Sequence, residues 1–198
     1  MDYSSLQQQL DFIIEADKLK QIVRQTLLLD QSRRENDAEH SWHAIIAALV
    51  LAEYAACPEL DLLRVVKMLA IHDLVEIDAG DTYAYDELAQ QDQAERERKA
   101  ADRIFSLLPA TQAAEFRAIW DEFEEQRTPE AQFAGAVDCL MPILHNYWTK
   151  GRQWQNHAVT KDRVMKRNSS RIAAGSEVLA AFVRELLDDA VRRGYLLE

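Results

Sequence analysis

Apolar positions recur at helical spacing over most of the chain. Leu6, Leu10, Ile13 and Ile14, followed by Leu19, Ile22, Val23 and Leu27, predict one helix over about residues 6–29. A polar run over 30–36 interrupts it. Asp37 suits the N-cap of a second helix over about 38–56, which carries Ile45, Ile46, Leu49 and Val50 and closes at Cys57-Pro58. A third apolar helix is predicted over about 59–76. Residues 78–86 predict a loop in which Gly80 allows an unusual turn and Asp78, Asp81 and Thr82 offer oxygens. The strongly charged stretch 87–107 reads as a solvated helix. Phe116, Ile119, Trp120 and Phe123 share one face of a helix over about 111–126. Thr128 as N-cap and Pro129 at the first helical position start another, which carries Phe133, Val137, Leu140 and Leu144. Residues 150–168 are polar and predict irregular structure. A last helix over 169–193 ends at Gly194, a C-terminal capping glycine. No stretch alternates as a strand does. The pattern predicts an all-α helical bundle in a single domain over 1–198, with a core over about 19–149 and the last helix packed on it.

Composition narrows the function classes. The chain of 198 residues is long enough for one sizeable core, and only five Gly and four Pro suit long helices. No apolar run approaches the roughly 18 residues of a membrane span. The N-terminus lacks the basic region and apolar core of a signal peptide. Cys57 and Cys139 form no Cys-x-x-Cys, so neither a disulfide framework nor a zinc ribbon is expected, and a reducing cytoplasm is. A net charge of −11 opposes nucleic-acid binding. A small anionic substrate remains compatible where basic residues cluster, and Lys18, Lys20, Arg24, Arg33 and Arg34 form such a cluster.

Candidate chemistry centres on residues 70–81, where an apolar helix turns abruptly acidic. The stretch places His72, Asp73, Glu76, Asp78, Gly80 and Asp81 close together. A His-Asp dipeptide alone is weak, because it arises by chance. His40 falls in the first turn of its helix, where the macrodipole disfavours imidazolium and leaves the neutral ring a metal requires. The alternative is a histidine that only caps the helix. His43 reads as structural or supporting, and His145 as a packing residue. Asp138 lies in an apolar helix, and a carboxylate there is costly unless paired or metal-bound. An arginine partner is the alternative. Together His40, His72, Asp73 and Asp138 supply two imidazoles and two carboxylates from three helices, a set suited to a first-row divalent ion.

That ordered set on an all-α chain resembles the HD-domain metal-dependent phosphohydrolases. Glu39-His40-Ser41-Trp42, His72-Asp73-Leu74-Val75-Glu76 with Gly80-Asp81, Trp120-Asp121-Glu122-Phe123-Glu124, and Thr128-Pro129-Glu130-Ala131 followed by Asp138 resemble its 5′-deoxynucleotidase branch, from about Leu19 to Leu144. The resemblance implies a homodimeric hydrolase that releases phosphate from deoxynucleoside 5′-monophosphates. It implies His40, His72, Asp73 and Asp138 as ligands of one divalent ion (cobalt, manganese, magnesium, zinc or iron). It implies Glu76 as general acid or base, Asp81 as the group orienting water or leaving oxygen, and Arg24 as the phosphate-binding arginine, assisted by Arg33 or Arg34. Members of the branch can carry an aromatic residue directly after that arginine; this chain has Gln25. A different HD hydrolase and a non-catalytic HD sensing or dimerisation module are the competing expectations. The first is disfavoured in its two-metal forms because no histidine lies between Asp73 and Asp138, and the second because all four ligands are kept.

Overall fold

Helix α7, Pro129–Trp148, is the axis around which the other helices pack. Thr128 caps it by accepting the Ala131 N–H at 3.2 Å, and Pro129 takes the first position, where no N–H is needed. Ten of its residues are buried, and it runs through Pro142 without interruption. The computed structural model that shows this describes residues 3–81 and 91–198. Thr82 and the rest of the predicted loop to residue 86, with the first residues of the predicted helix over 87–107, lie outside the described residues.

In chain order, α1 (Ser4–Ala16) passes through a 3₁₀ turn (Asp17–Gln21) into strand β1 (Val23–Leu27). Strand β2 (Arg34–Asn36) returns antiparallel to it. Then follow α2 (Asp37–Leu51), α3 (Leu62–Ile71), a 3₁₀ turn (His72–Val75), α4 (Glu76–Ala79), α5 (Gln93–Phe105) and α6 (Ala110–Glu125). After α7 come α8 (Arg152–Asn156), α9 (Lys161–Gly175) and α10 (Glu177–Arg192). The fold is predominantly helical, with one small β-ribbon. Helices α2, α3, α6, α9 and α10 all pack on α7. No helix among the described residues is long and apolar enough to cross a membrane.

Four expectations are corrected. The predicted first helix ends early, and Arg24 sits on β1 rather than on a helix. Leu19, Ile22, Val23 and Leu27 match the helical period, but the backbone turns extended at Ile22. Tertiary polar ties then hold the strand: the Gln153 amide donates to the Gln25 carbonyl at 2.6 Å, and His145 Nδ1 to the Leu27 carbonyl at 3.0 Å. The N-cap of α2 is Asn36, not Asp37. Asn36 Oδ1 accepts the Glu39 N–H at 3.0 Å while Glu39 accepts the Asn36 N–H at 3.2 Å, a reciprocal cap that frees the Asp37 side chain. The predicted third helix breaks at His72 into a 3₁₀ turn. Finally, the stretch predicted as irregular contains α8 and most of α9, and the predicted last helix is two helices.

Helix α9 reads as polar because its outer face is charged. Val164, Asn168 and Ile172, one turn apart, are its buried stripe. Ser176 separates α9 from α10: its backbone is extended, its hydroxyl accepts the Leu179 N–H at 3.1 Å and donates to the Tyr54 carbonyl at 2.6 Å. Gly175 lets α9 meet α7 closely, since a Cβ there would lie 2.3 Å from the Gln132 carbonyl oxygen. Gly80, at φ +76°, turns the chain out of α4 as its sequence position suggested.

Candidate metal and phosphate site

Three helical elements and the β-ribbon bring the candidate ligands together. His40 projects from the first turn of α2, His72 and Asp73 from the 3₁₀ turn after α3, and Asp138 from the middle of α7. The donor atoms of His40, His72 and Asp73 lie within 4.8 Å of one another. Asp138 Oδ1 is 3.0 Å from His40 Nε2 and 3.6 Å from His72 Nε2, and Asp73 Oδ1 is 3.2 Å from His72 Nε2. Donors about 2.1 Å from one octahedral ion would stand about 3 Å apart at right angles, so the cluster fits a single ion closely.

The hydrogen-bond pattern tests that fit independently. His72 Nδ1 donates to the Leu69 carbonyl at 3.0 Å, which sets the tautomer of the neutral ring and turns Nε2 toward the cluster as the nitrogen available to an ion. Nε2 is buried and carries no hydrogen bond. A buried nitrogen left unsatisfied is costly, and a cation at the cluster removes the cost. Burial, assisted by Arg24, lowers the His40 pKa and favours the neutral ring. His72 is different: burial opposes its charge, but Asp73 and Asp138 raise its pKa to about 9. Burial works against the Asp138 charge too, and the hydrogen bond from His40 together with the nearby His72 overcomes it, holding its pKa well below the usual carboxylate range. Ion uptake at His72 therefore releases a proton, and affinity falls as pH drops.

Arg24 reaches this cluster from β1. One guanidinium nitrogen, Nη1, donates to Asp37 at 2.8 Å and to Asp73 at 2.9 Å. Burial opposes its charge, and Asp73 and Asp37 more than offset that. Asp37 is fully buried, so Arg24→Ala would leave a buried carboxylate without its cation. Such a loss is expected to destabilise the fold by about 3–5 kcal/mol. Urea unfolding of Arg24→Ala, Asp37→Ala and the double variant measures it; the double variant should recover part of the loss, and additive effects would contradict the pairing.

Arg24, His72, Asp73 and Asp138 line a cavity of 220 Å³ whose walls also include Glu76, Asp81, Glu97 and Glu124. Burial, then the Asp73 charge, pushes the Glu76 carboxyl up to about 10, and its Oε2 has no hydrogen-bond partner. Burial raises Asp81 against the pull of Arg24. Glu124 rises to about 7 through burial and Glu97.

Arg33 and Arg34 are not among the cavity-lining residues. Arg33 lies at the surface and pairs with Glu39, donating from Nη1 at 2.8 Å, and with the Arg34 carbonyl at 3.0 Å. Arg34 is exposed. The sequence reading did not single out Asp37 as a partner of Arg24, nor Glu97, nor Arg167, Asn168 and Arg171 of α9, which form part of the cavity wall. The buried stripe of α9 is the signal that could have found Asn168. Glu122, in the quoted acidic motif, is structural: it receives Arg64 Nε at 2.9 Å and the Thr128 hydroxyl at 2.7 Å.

Residues 16–180 match the family model described as HD domain. The chain is similar to 5′-deoxynucleotidase HDDC2 of Homo sapiens, with 29% identity over 112 residues, 57% of this chain and 53% of the relative. It is also similar to 5′-deoxynucleotidase HDDC2 of Xenopus laevis, with 26% identity over 136 residues, 68% of this chain and 66% of the relative. The chain thus spans between about half and two thirds of the length of these curated relatives. A crystal structure from Magnetospirillum magnetotacticum MS-1, described as a "predicted metal-dependent phosphohydrolase", is 55% identical, with a TM-score of 0.94, 98% of this chain and 97% of that chain being covered.

Proposed function

The chain belongs to the HD-domain family, and from that premise we propose that it is a metal-dependent phosphohydrolase cleaving nucleoside 5′-monophosphates to nucleoside and phosphate. The names of the similar proteins support this class. The observation that carries it is the buried Nε2 of His72, which has no hydrogen-bond partner, beside three further donors and the half-buried Arg24. His40, His72, Asp73 and Asp138 would hold one divalent ion. Bound there, the ion supplies Lewis acidity and positive charge for phosphoryl chemistry.

The chain's own residues do the rest. Arg24, held by Asp37 and Asp73, offers N–H donors to a non-bridging phosphate oxygen; its Nε is buried and unpaired. Burial and the neighbouring carboxylates favour the protonated form of Glu76 in the metal-free chain, and as an acid it can deliver a proton to the departing 5′-oxygen. Asp81, on the same wall, orients the attacking water or the leaving oxygen. Partial burial of these groups in the cavity lowers the local dielectric, which strengthens each interaction.

Gln25 favours a second reading of the sugar. Its Oε1 is buried, has no hydrogen-bond partner, and belongs to the cavity wall. An unpaired acceptor suits a substrate hydroxyl, so ribonucleotides compete with deoxyribonucleotides as substrates. Phosphate release from ribo- and deoxynucleoside mono-, di- and triphosphates, measured with Mg²⁺, Mn²⁺ and Co²⁺, tests both readings. Monophosphates should be the best substrates. Release from no nucleotide with any ion would contradict the proposal and favour a sensing module. We further propose that the chain is one HD domain over residues 1–198 and works as a cytoplasmic homodimer; sedimentation of the purified chain measures the association.

A further inference from the structure

A second group of donors lies behind His40. Glu35 on β2, His43 on α2 and His145 on α7 place ligand atoms within 4.8 Å of one another. We propose that these three residues form a second, non-catalytic site for a zinc-like divalent cation, which pins the β-ribbon to α2 and α7.

Three observations support it. First, His145 Nδ1 donates to the Leu27 carbonyl at 3.0 Å, so its Nε2 is left as a lone pair facing the cluster. A histidine ligand is oriented in this way by the bond its other nitrogen makes. Second, His145 Nε2 and His43 Nδ1 are 3.3 Å apart. Two nitrogens at 2.0–2.1 Å from a tetrahedral zinc stand about 3.3 Å apart, so the pair already has the separation a shared ion requires. Third, Glu35 is a buried carboxylate, 2% exposed, whose ion-pair neighbours among the described residues are histidines, with no lysine or arginine. Its oxygens are 4.0 Å from His145 Nε2 and 3.9 Å from His40 Nδ1. A buried carboxylate without a basic side chain beside it is costly, and a bound cation offsets that cost.

Two imidazoles and a carboxylate are a recognised zinc donor set, with a fourth position left for water. Glu35 Oε1 must approach by about 0.7 Å to join at tetrahedral distance. The fourth position can open to solvent, because His43 is only half-buried, under an exposed Trp42 ring centred 5.9 Å away. The ion would be separate from the first site, yet Glu35 lies between them, facing His40 with its other oxygen. It would also fix the ribbon that carries Arg24. The competing account is a hydrogen bond from His43 to His145 with a proton on Glu35 and no ion.

Titration of the metal-free full-length chain with Co²⁺, followed by d–d absorption and by metal analysis, separates them. The expected result is two equivalents per chain, one lost in His43→Gln and in the near-isosteric Glu35→Gln. The other should persist in both and be lost in Asp73→Ala. Circular dichroism confirms that each variant is folded. A single equivalent that Asp73→Ala abolishes and His43→Gln leaves unchanged would overturn the second site while sparing the first. A single equivalent lost only in His43→Gln would do the reverse. Two equivalents unaffected by both His43→Gln and Glu35→Gln would assign the extra ion elsewhere and overturn the proposal.

Discussion

Asp73→Ala is expected to lower phosphate release at least about 1,000-fold. The residue serves two parts of the site at once: Oδ1 is 3.2 Å from His72 Nε2, and Oδ2 receives Arg24 at 2.9 Å. Its loss removes a donor from the ion cluster and the acceptor that aims the arginine. Ion-derived stabilisation of phosphoryl transfer amounts to several kcal/mol, and each 1.36 kcal/mol is tenfold in rate. The fold should survive, because Asp73 lies at the rim while Val65, Met68 and Leu69 hold the core of α3. Asp73→Asn keeps an acceptor for Arg24 but not the charge, and should be nearly as inactive. Phosphate release, metal content and circular dichroism on both variants check this; unchanged turnover would remove Asp73 from the site.

Glu76→Gln is expected to cut turnover about 10²–10⁴-fold while leaving metal content intact. The glutamine fills the same space but cannot deliver a proton. The substitution also has a stability signature. In the metal-free chain the Glu76 pKa of about 10 lies above the ordinary 4.5. Between those values the folded state binds the extra proton, so this group's contribution to stability falls as pH rises. The slope is at most about 1.4 kcal/mol per pH unit. Metal-free Glu76→Gln should therefore gain stability over wild type, increasingly so toward alkaline pH. Thermal unfolding at several pH values reads the difference. A variant that loses its metal instead would make Glu76 a ligand.

The candidate site was legible because its residues are anomalies in their local sequence. His72-Asp73 ends an apolar helix, Asp138 interrupts a run of small apolar residues, and His40 falls in a helix start. Each is a polar group where burial is expensive, which a sequence displays directly. Helices α2, α3, α6 and α7 were legible for the related reason that their apolar stripes repeat every turn, whereas the charged outer face of α9 hid its stripe. The β-ribbon was not legible. Ile22, Val23 and Leu27 satisfy a helical period by chance, and what selects the strand lies outside it: the neighbouring β2, and the distant His145 and Gln153. The break at Ser176 was hidden because apolar residues continue on both sides of it. Its capping hydroxyl is fixed by Tyr54, over a hundred positions away in the chain. Asp37 was read as a cap because its residue type suits that role; only the structure shows the reciprocal Asn36–Glu39 pair taking it.

The central claim is that the cluster of His40, His72, Asp73 and Asp138 makes this chain a metal-dependent phosphohydrolase. Phosphate release from a nucleoside 5′-monophosphate, measured before chelation, after exhaustive chelation and after return of Co²⁺ or Mn²⁺, tests it most directly. The account predicts that release disappears on chelation and returns with the ion. Full release from the chelated, metal-free protein would contradict it.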